Sequence, residues 1–426
     1  MQIYQTCDKS DEKLYALLRE RAKKTSTDIT EKVAAVIEDV KKNKDKALFR
    51  YSELFDHVKL SKIEMDEEEI QAALSEVPKE LTEALKKAAE NIRAYHEKQL
   101  GAGYEIGDAY KKLTRLVRPL ERVGVYVPGG TAAYPSTVLM NCIPAKVAGV
   151  KEIILVTPPK ADGVNPCVIA AAKIAGVTKI LTVGGAQAVA ALAYGTESVP
   201  AVDKIVGPGN MFVAEAKRQV FGDVAIDMIA GPSEVCVVAD GTAPASYAAA
   251  DFLSQLEHDR AASATLITPD AAYAKAVESE IERQLALLPR CEIAAASYRD
   301  YSAAVITKDL TEAVEVANRI APEHLELLVS DPESLIDLVR NAGSVFMGAY
   351  APEPMGDYYA GTNHVLPTCG TARFSSPLSV DDFVKHMSCI YYKKEGFIKE
   401  ADDVIRLARA EGLDAHANSV LIRKES

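Results

Sequence analysis

The stretch EIILVTPPKADGVNPCVIAAAKIAGVTKILTVGG, residues 152–185, contains two short apolar runs on either side of a longer one. EIILVT and TKILTVG have the length and the β-branched composition of buried strands. NPCVIAAAKIAG is long enough for a helix, and Asn-Pro and Gly mark its two ends. A strand, a helix and a second strand in this order indicate a parallel sheet that carries helices on its faces.

The same alternation extends in both directions from this stretch. GVYV (124–127) precedes it, and DKIVG (203–207) follows it, with helical segments between them. After AGPSE (230–234) the alternation starts again with VCVVAD, SATLITPD and SAAVITKD. Residues 1 to about 100 are charged and have helical periodicity. The sequence therefore predicts an α/β protein with two separate α/β units.

We expect the unit boundaries at two Gly/Pro turns, near Pro128 and Pro232. The predicted division has four parts, namely an N-terminal helical extension (1–24), a first α/β domain (25–127 plus 233–378), a second α/β domain (128–232) and a C-terminal helical tail (379–426).

Composition limits the classes of function. The 49 basic and 61 acidic residues give a net charge of −12, which disfavours nucleic acid or an anionic membrane as a partner. The first residues show no secretory signal, and no apolar run approaches the ~20 residues of a membrane span. The seven scattered cysteines form no CxxC pair, which predicts reduced thiols and a cytoplasmic location.

A glutamate and a histidine are adjacent in IAPEHLELLV, residues 320–329. Pro322 disfavours helix for the residue before it, so the preceding helix should end near Ile320, and LELLV should form a short strand. Glu323 and His324 then lie at an element end, where side chains often face a ligand. A solvated acid beside a hydrogen-bonded ring is the alternative for any such isolated pair.

Three glycine-containing turns, at YVPGGTAAYPS, VGGAQAVA and VGPGNMF, each lie between a strand and a helix. Backbone N–H groups at such turns bind phosphate, although none of the three is a GxGxxG motif. Each turn alone also fits a purely structural βα connection. Together they favour a nucleotide crevice.

Further candidate ligands stand in three other segments. ADFLSQLEHD (250–259) is predicted to be helical, so Gln255 and His258, three residues apart, share one face and can chelate a metal. MGDYYAGTNHVLPT (355–368) brings Asp357 and His364 into an irregular segment, and RLARAEGLDAHANSV breaks a helix at Gly412, just before His416. A polar helix face, a turn acid and a solvated tail are the alternatives for these three segments.

In order along the chain, YVPGG, GGAQAVAALAYGT, KIVGPGN, AGPSE, SQLEH, PEHLEL, GDYYAGTNHVLPT and EGLDAHANSV closely resemble the motifs of the histidinol dehydrogenase family. The resemblance extends from about residue 25 to the end. It implies two incomplete Rossmann-like domains, similar to those of aldehyde dehydrogenases. It also implies a homodimer that binds one Zn²⁺ per subunit and uses NAD twice to oxidise L-histidinol to L-histidine through the aldehyde.

The resemblance also implies roles for individual residues. It assigns an acid–base pair (Glu323, His324), zinc ligands (Gln255, His258, Asp357 and, from the neighbouring subunit, His416), substrate contacts (Ser233, His364, Glu411, together with His324 and the zinc ligands) and NAD contacts (Tyr126, Gln187, Asn210). In this scheme His324, neutral near pH 7, takes the alcohol proton, and Glu323 activates the water that hydrates the aldehyde.

Two other classes of function use the same residue types. A metal-dependent hydrolase also combines histidine, carboxylate and a glutamate base, but it has no use for a nucleotide crevice. In a zinc-stabilised binding protein, Glu323 and His324 would have no catalytic role.

Overall fold

The computed structural model describes residues 1–21, 27–129 and 134–425, in two compact units. The first unit comprises Met1–Gln99 and Glu121–Phe383, and the second comprises Leu100–Leu120 and the chain from Val384 onward. Within the described residues, no helix is both long and apolar enough to cross a membrane.

The strands are β1 (Gln2–Gln5), β2 (Tyr104–Gly107), β3 (Lys111–Pro119), β4 (Arg122–Tyr126), β5 (Glu152–Thr157), β6 (Lys179–Thr182), β7 (Lys204–Val206), β8 (Ala225–Ile226), β9 (Glu234–Ala239), β10 (Ser263–Thr268), β11 (Ser302–Ile306), β12 (His324–Leu328), β13 (Ser344–Met347) and β14 (Val384–Tyr392).

The helices are α1 (Glu12–Arg21), α2 (Thr27–Asn43), α3 (Asp45–Phe55), α4 (Glu67–Ser75), α5 (Lys79–Glu97), α6 (Pro135–Ala148), α7 (Pro166–Ala175), α8 (Gly185–Tyr194), α9 (Met211–Val220), α10 (Ala245–Leu256), α11 (Ala271–Leu285), α12 (Cys291–Tyr301), α13 (Leu310–Ile320), α14 (Glu333–Ile336), α15 (Glu353–Met355), α16 (Lys394–Ala410) and α17 (Asp414–Glu425). A π-helical turn, Gly356–Ala360, follows α15 directly.

Six parallel strands form the larger sheet, in the order β1-β11-β10-β9-β12-β13. Alternate residues of the central strand β9 face opposite sides, because side chains of a strand alternate. Val235 and Val237 join a buried cluster with α10, α11 and α12, whereas Cys236 and Val238 join another with α1 and α13. The sheet is thus covered on both faces, as predicted for parallel strands.

The second parallel sheet has five strands in the order β6-β5-β4-β7-β8. Helices α2, α3, α8 and α9 share one buried cluster with this sheet, while α6 packs against α7 and against β4 and β5. The predicted α/β class with two parallel sheets is confirmed, and so are the strands expected at GVYV, EIILVT, TKILTVG and DKIVG.

The predicted boundary near Pro128 is wrong for this sheet. Strand β4 precedes Pro128 yet lies between β5 and β7. Helices α2 and α3 were assigned with residues 25–127 to the other α/β domain, but they pack on α8 and α9. An amphipathic helix shows in sequence which of its faces is apolar, but not which apolar surface will cover that face.

The predicted N-terminal helical extension is corrected in part. Residues Gln2–Gln5 form β1, which pairs in parallel with β11, and among the described residues 1–21 only α1 is an α-helix. Tyr4 is the one buried side chain of this strand. A four-residue edge strand carries too short a pattern to be recognised from sequence. The predicted limit at residue 24 lies outside the described residues.

The second unit contains an antiparallel sheet, β14-β3-β2, and two helices, α16 and α17, that pack on each other. The tail predicted as helical over 379–426 contains instead a 3-10 turn, Val380–Phe383, and a nine-residue strand, β14, ahead of its two helices. Most residues of this strand are exposed, so it lacks the apolar alternation that marks a half-buried strand. Its hydrogen bonds come from β3, which is remote in sequence.

Candidate active site

Glu323 and His324 are positioned by the end of α13 and the start of β12. The helix ends at Ile320, as predicted, and Ala321 closes it in the left-handed conformation with φ 53°. Pro322 follows, and β12 begins with His324 itself, beside β9 and β13. The pair therefore lies where the parallel strands begin, on the edge opposite to the one where α/β sheets usually bind ligands.

The Glu323 carboxylate is buried and held by one backbone group. Its Oε2 accepts a hydrogen bond of 2.9 Å from the N–H of Glu234, the first residue of β9. Burial raises the pKa of Glu323 to about 7, although His324 and the Glu234 N–H act in the opposite direction. A carboxyl group with this pKa exchanges a proton readily near neutral pH.

The His324 ring is buried, and one of its nitrogens, Nδ1, contacts two other residues. Its Nδ1 lies 3.1 Å from the carbonyl oxygen of Glu234 and 2.8 Å from Nε2 of Gln255. The carbonyl accepts when Nδ1 carries hydrogen, and Gln255 donates when it does not. Among the described residues, Nε2 has no hydrogen-bond partner; it faces Asp357 Oδ1 at 3.7 Å.

Burial alone would lower the pKa of His324, but the carboxylates of Glu323 and Asp357 outweigh it and raise the pKa to about 10. The sequence analysis expected a ring that is neutral near pH 7. Two carboxylates close to one imidazole favour its charged form, and sequence spacing showed only one of them.

Asp357 belongs to the π-helical turn Gly356–Ala360, an arrangement that often marks functional sites. Ligand atoms of His324, Glu353 and Asp357 lie within 4.8 Å of one another. Burial would raise the Asp357 pKa, but His324 and His364 hold it well below its usual range. Burial and the Asp357 charge raise the pKa of Glu353 to about 8. Glu353 was not predicted from sequence, although its position four residues before Asp357 was an available signal.

His364 and His258 lie beside the same cluster. His364 Nδ1 lies 3.0 Å from the Asp357 carbonyl oxygen and 3.9 Å from its Oδ2. The expectation that one helix carries both Gln255 and His258 is wrong, because α10 ends at Leu256 and His258 lies in the following turn. Desolvation lowers the pKa of His258, while the nearby Asp357 opposes that shift.

Ser233 and Glu234 form the entry to β9. The Ser233 carbonyl oxygen accepts from Ser263 N at 3.1 Å and lies 3.3 Å from Nη1 of Arg21. Arg21 also forms a buried ion pair with the Glu234 side chain. Neither Arg21 nor Glu234 was a candidate from sequence, where an arginine near the chain start carries no signal of burial.

The glycine turns lie at the other sheet. Tyr126 ends β4, and its hydroxyl accepts from Gly185 N at 3.0 Å at the start of α8. Gln187 is fully buried in the first turn of α8, and neither amide atom has a hydrogen-bond partner among the described residues. Asn210 caps α9 by accepting from two backbone N–H groups. The part of the first turn at 130–133 lies outside the described residues.

Glu411 and His416 belong to the second unit. The predicted helix break at Gly412 is confirmed: α16 ends at Ala410, Gly412 is left-handed with φ 74°, and α17 starts at Asp414. Both side chains are exposed within their unit.

The histidinol dehydrogenase family model matches residues 19–424 of the chain. A histidinol dehydrogenase from Bacillus cereus is 54% identical over 412 residues, which are 96% of each chain. One from Clostridium acetobutylicum is 51% identical over 425 residues, which are 99% of each chain. The crystal structure of a histidinol dehydrogenase from Elizabethkingia anophelis matches with a TM-score of 0.94 at 39% identity, covering 100% of this chain and 98% of that one.

The chain belongs to the histidinol dehydrogenase family. It is therefore an oxidoreductase of this type, and histidine biosynthesis is the implied process. The resemblance seen in the motifs is confirmed.

The residues present fit the metal that the histidinol dehydrogenase resemblance implies. Oε1 of Gln255 is buried without a hydrogen-bond partner among the described residues, and the amide nitrogen of the same side chain contacts His324, whose other ring nitrogen faces Asp357. An amide oxygen, an imidazole nitrogen and a carboxylate are all metal-binding groups. Ligand atoms of His324 and Glu353 lie within 4.8 Å of each other and of Asp357, so these side chains are also near enough to bind a metal.

The glycine turns of this histidinol dehydrogenase family member also fit a dinucleotide. A buried amide without partners, such as that of Gln187, costs free energy unless a ligand supplies its hydrogen bonds. Burial raises the pKa of Tyr126 to about 12, so its hydroxyl stays neutral and can donate.

Proposed function

We propose that the chain oxidises L-histidinol to L-histidine through L-histidinaldehyde, with two molecules of NAD and a zinc ion as cofactors. The observation that carries this proposal is the buried Glu323–His324 pair, with the His324 Nε2 side open toward Asp357. Two successive oxidations need two proton acceptors, and these side chains are adjacent.

In the first oxidation, the unprotonated form of His324, a minority at neutral pH because the pKa is about 10, accepts the hydroxyl proton at Nε2 as hydride leaves the hydroxyl-bearing carbon for NAD. The Nδ1 hydrogen then points to the Glu234 carbonyl, 3.1 Å away. The carboxylates of Glu323 and Asp357 stabilise the positive ring, in line with the raised pKa of His324.

In the second oxidation, Glu323 accepts a proton from the water that adds to the aldehyde. The pKa of about 7 leaves much of Glu323 ionised at neutral pH, and still basic enough to accept that proton. As the water adds, protonated His324 returns its proton to the aldehyde oxygen, which gives the neutral hydrate and a neutral ring. The hydrate then loses a proton to His324 as the second hydride leaves for NAD, and the carboxylic acid formed releases its own proton to give the carboxylate of histidine. Cys236 takes no part, because it is buried in β9, where burial raises the pKa of its thiol.

Each cofactor supplies one kind of chemistry. Zinc, bound by Gln255, His258, Asp357 and His416, supplies a fixed point that orients the substrate's amine and imidazole nitrogens. NAD, bound near Tyr126, Gln187 and Asn210, supplies the hydride acceptor for both oxidations. Ser233, His364 and Glu411 complete the contacts to the substrate.

The proposal includes a homodimer in which the second unit of one subunit supplies Glu411 and His416 to its neighbour. Both side chains are exposed within that unit. Large apolar residues there are exposed too, with Ile390 72% and Leu407 67% accessible. Such a surface suits burial in a subunit interface. The seven unpaired cysteines suit a cytoplasmic location.

The test is absorbance of NADH at 340 nm with purified protein, zinc, NAD and L-histidinol. The proposal expects about two NADH per histidinol consumed, and histidine as the product. A metal-dependent hydrolase or a zinc-stabilised binding protein would form no NADH, and that result would overturn the proposal.

The shared site is tested by mixing His416→Ala with His258→Ala under conditions of subunit exchange. Each variant alone should be inactive, because each lacks one zinc ligand. In a mixed dimer with exchanged tails, one site receives both defects and the other receives none, so activity returns. If the mixture stays inactive although mass spectrometry shows mixed dimers, the tail serves its own subunit.

A further inference from the structure

The end of α1 inserts an arginine into the interior of the first unit. Arg21 is 4% exposed and lies 17 residues beyond the buried Tyr4 of β1, in a region without any catalytic motif. Its Nη2 pairs with the Glu234 carboxylate, and its Nη1 donates to the carbonyl oxygen of Ala261 at 2.9 Å and lies 3.3 Å from that of Ser233. One planar guanidinium thus connects the entry of β9 with the turn before β10.

The backbone of Glu234 holds both members of the acid–base pair. Its N–H donates to Glu323 Oε2 at 2.9 Å, and its carbonyl oxygen lies 3.1 Å from His324 Nδ1. The Glu234 side chain points the other way, to Arg21 and to the N–H of Cys369, which donates at 2.9 Å. A rotation of this residue would move both peptide groups that orient Glu323 and His324.

Solvent cannot replace Arg21 in this position. The side-chain exposures of Arg21 and Glu234 are 1% and 5%. Buried ion pairs hold only when their geometry is good, since both groups have lost their water. Arginine can satisfy a carboxylate and two carbonyls at once through its fixed fork, whereas lysine is a flexible point charge.

We infer that Arg21 is a positioning residue for Glu323 and His324, acting through Glu234. The N-terminal segment then serves catalysis, although it brings no group to the substrate. This inference rests on the proposed function, because the task of Glu323 and His324 comes from it.

The first experiment compares Arg21→Lys with Arg319→Lys. Arg319 joins α13 to α1 through Glu12 at 2.8 Å and is about half-exposed, so its replacement loosens the same helix without touching Glu234. We expect kcat with histidinol to fall about 10- to 100-fold in Arg21→Lys, because small displacements of catalytic groups have effects of this size. The KM for NAD should stay unchanged, and Arg319→Lys should keep the parental kcat.

The second experiment repeats Arg21→Lys in a His324→Asn background. A residue that acts through the acid–base pair loses most of its effect when that pair is already disabled, so the further decrease in kcat should be less than about 3-fold. An equal decrease in both backgrounds, or a kcat no lower than that of Arg319→Lys, would show a purely structural role and overturn the inference.

Arg21→Gln combined with Glu234→Gln covers the case in which Arg21→Lys does not fold. The neutral pair leaves no unpaired buried charge and keeps an acceptor for the Cys369 N–H. A folded double variant with kcat still at least about 10-fold low supports positioning, and full parental kcat overturns it. If the parent forms no NADH from histidinol, the proposed function fails by itself, before any variant is compared.

Discussion

The two parallel sheets present polar groups at opposite ends of their strands. In the six-stranded sheet, Glu234 and His324 stand at the first positions of β9 and β12, and ionisable groups surround them. In the five-stranded sheet, Tyr126 ends β4, and the glycine turn before α8 follows β6. Tyr126 and Gln187 are neutral, and Gln187 has no hydrogen-bond partner among the described residues. The charged groups at this edge include a buried ion pair, Lys217–Asp227, which holds Gly207 of the third glycine turn.

The two sets of polar groups suit different chemical roles. Buried charges that already contact one another can exchange protons and bind a cation, but their mutual contacts shift each pKa. Neutral side chains without hydrogen-bond partners, together with helix N-termini, can bind a large ligand without any change in their protonation state. In our proposal, proton transfer takes place where strands of the six-stranded sheet begin, and NAD binds where strands of the five-stranded sheet end.

Replacing His324 with Asn should lower kcat about 1000-fold with both histidinol and histidinaldehyde, within the range known for lost general bases. The Asn amide can still donate to the Glu234 carbonyl, but it cannot take a proton. NADH absorbance measures the change. His386→Asn, at an exposed position of β14, is the control and should behave as the parent. Equal activity of the two variants would show that His324, at the start of β12, does not accept the proton.

Removal of metal by a chelator should lower kcat about 100-fold while the far-ultraviolet circular dichroism stays unchanged. The ligands belong to elements that other contacts already hold, so the metal orients the substrate rather than the chain. Zinc added in slight excess should restore the rate. Unfolding on chelation would instead assign the metal a structural task.

Oxidation of histidinaldehyde should slow about tenfold for each pH unit below 7. Burial raises the pKa of Glu323 to about 7, and its protonated form cannot accept a proton from water. The contribution of Glu323 to the rate is therefore present above its pKa and is lost as acid protonates this group. Glu323→Gln should lose this dependence and show a low, flat profile. A parental profile in that variant would assign the titration to another residue.

Replacing Gln187 with Met should raise the KM for NAD about tenfold and leave the KM for histidinol unchanged. The variant should lose the binding free energy of one or two hydrogen bonds between the Gln187 amide and the dinucleotide. Thermal stability should not fall, because the amide has no partner among the described residues. The control is Gln219→Met, whose amide donates to the Thr30 carbonyl at 2.9 Å; it should lose stability and keep its KM for NAD. The reverse pattern would contradict an NAD contact at Gln187.

Much of the fold follows from local sequence. The strand–helix alternation predicted both parallel sheets, Pro322 predicted the end of α13 near Ile320, and Gly412 predicted the break between α16 and α17. These features depend on backbone chemistry within a few residues, so sequence expresses them directly. Strands β1 and β14 were missed because their partners, β11 and β3, are remote in the chain.

The candidate site divides in the same way. Sequence motifs named the adjacent pair Glu323 and His324, because proximity in the chain is visible in a string of letters. Only tertiary structure brings Asp357 to 3.7 Å from Nε2 of His324 and connects Arg21 to Glu234 across more than 200 positions. It also decides that His324 carries a raised pKa, since burial and the distances to two carboxylates exist only in the folded chain.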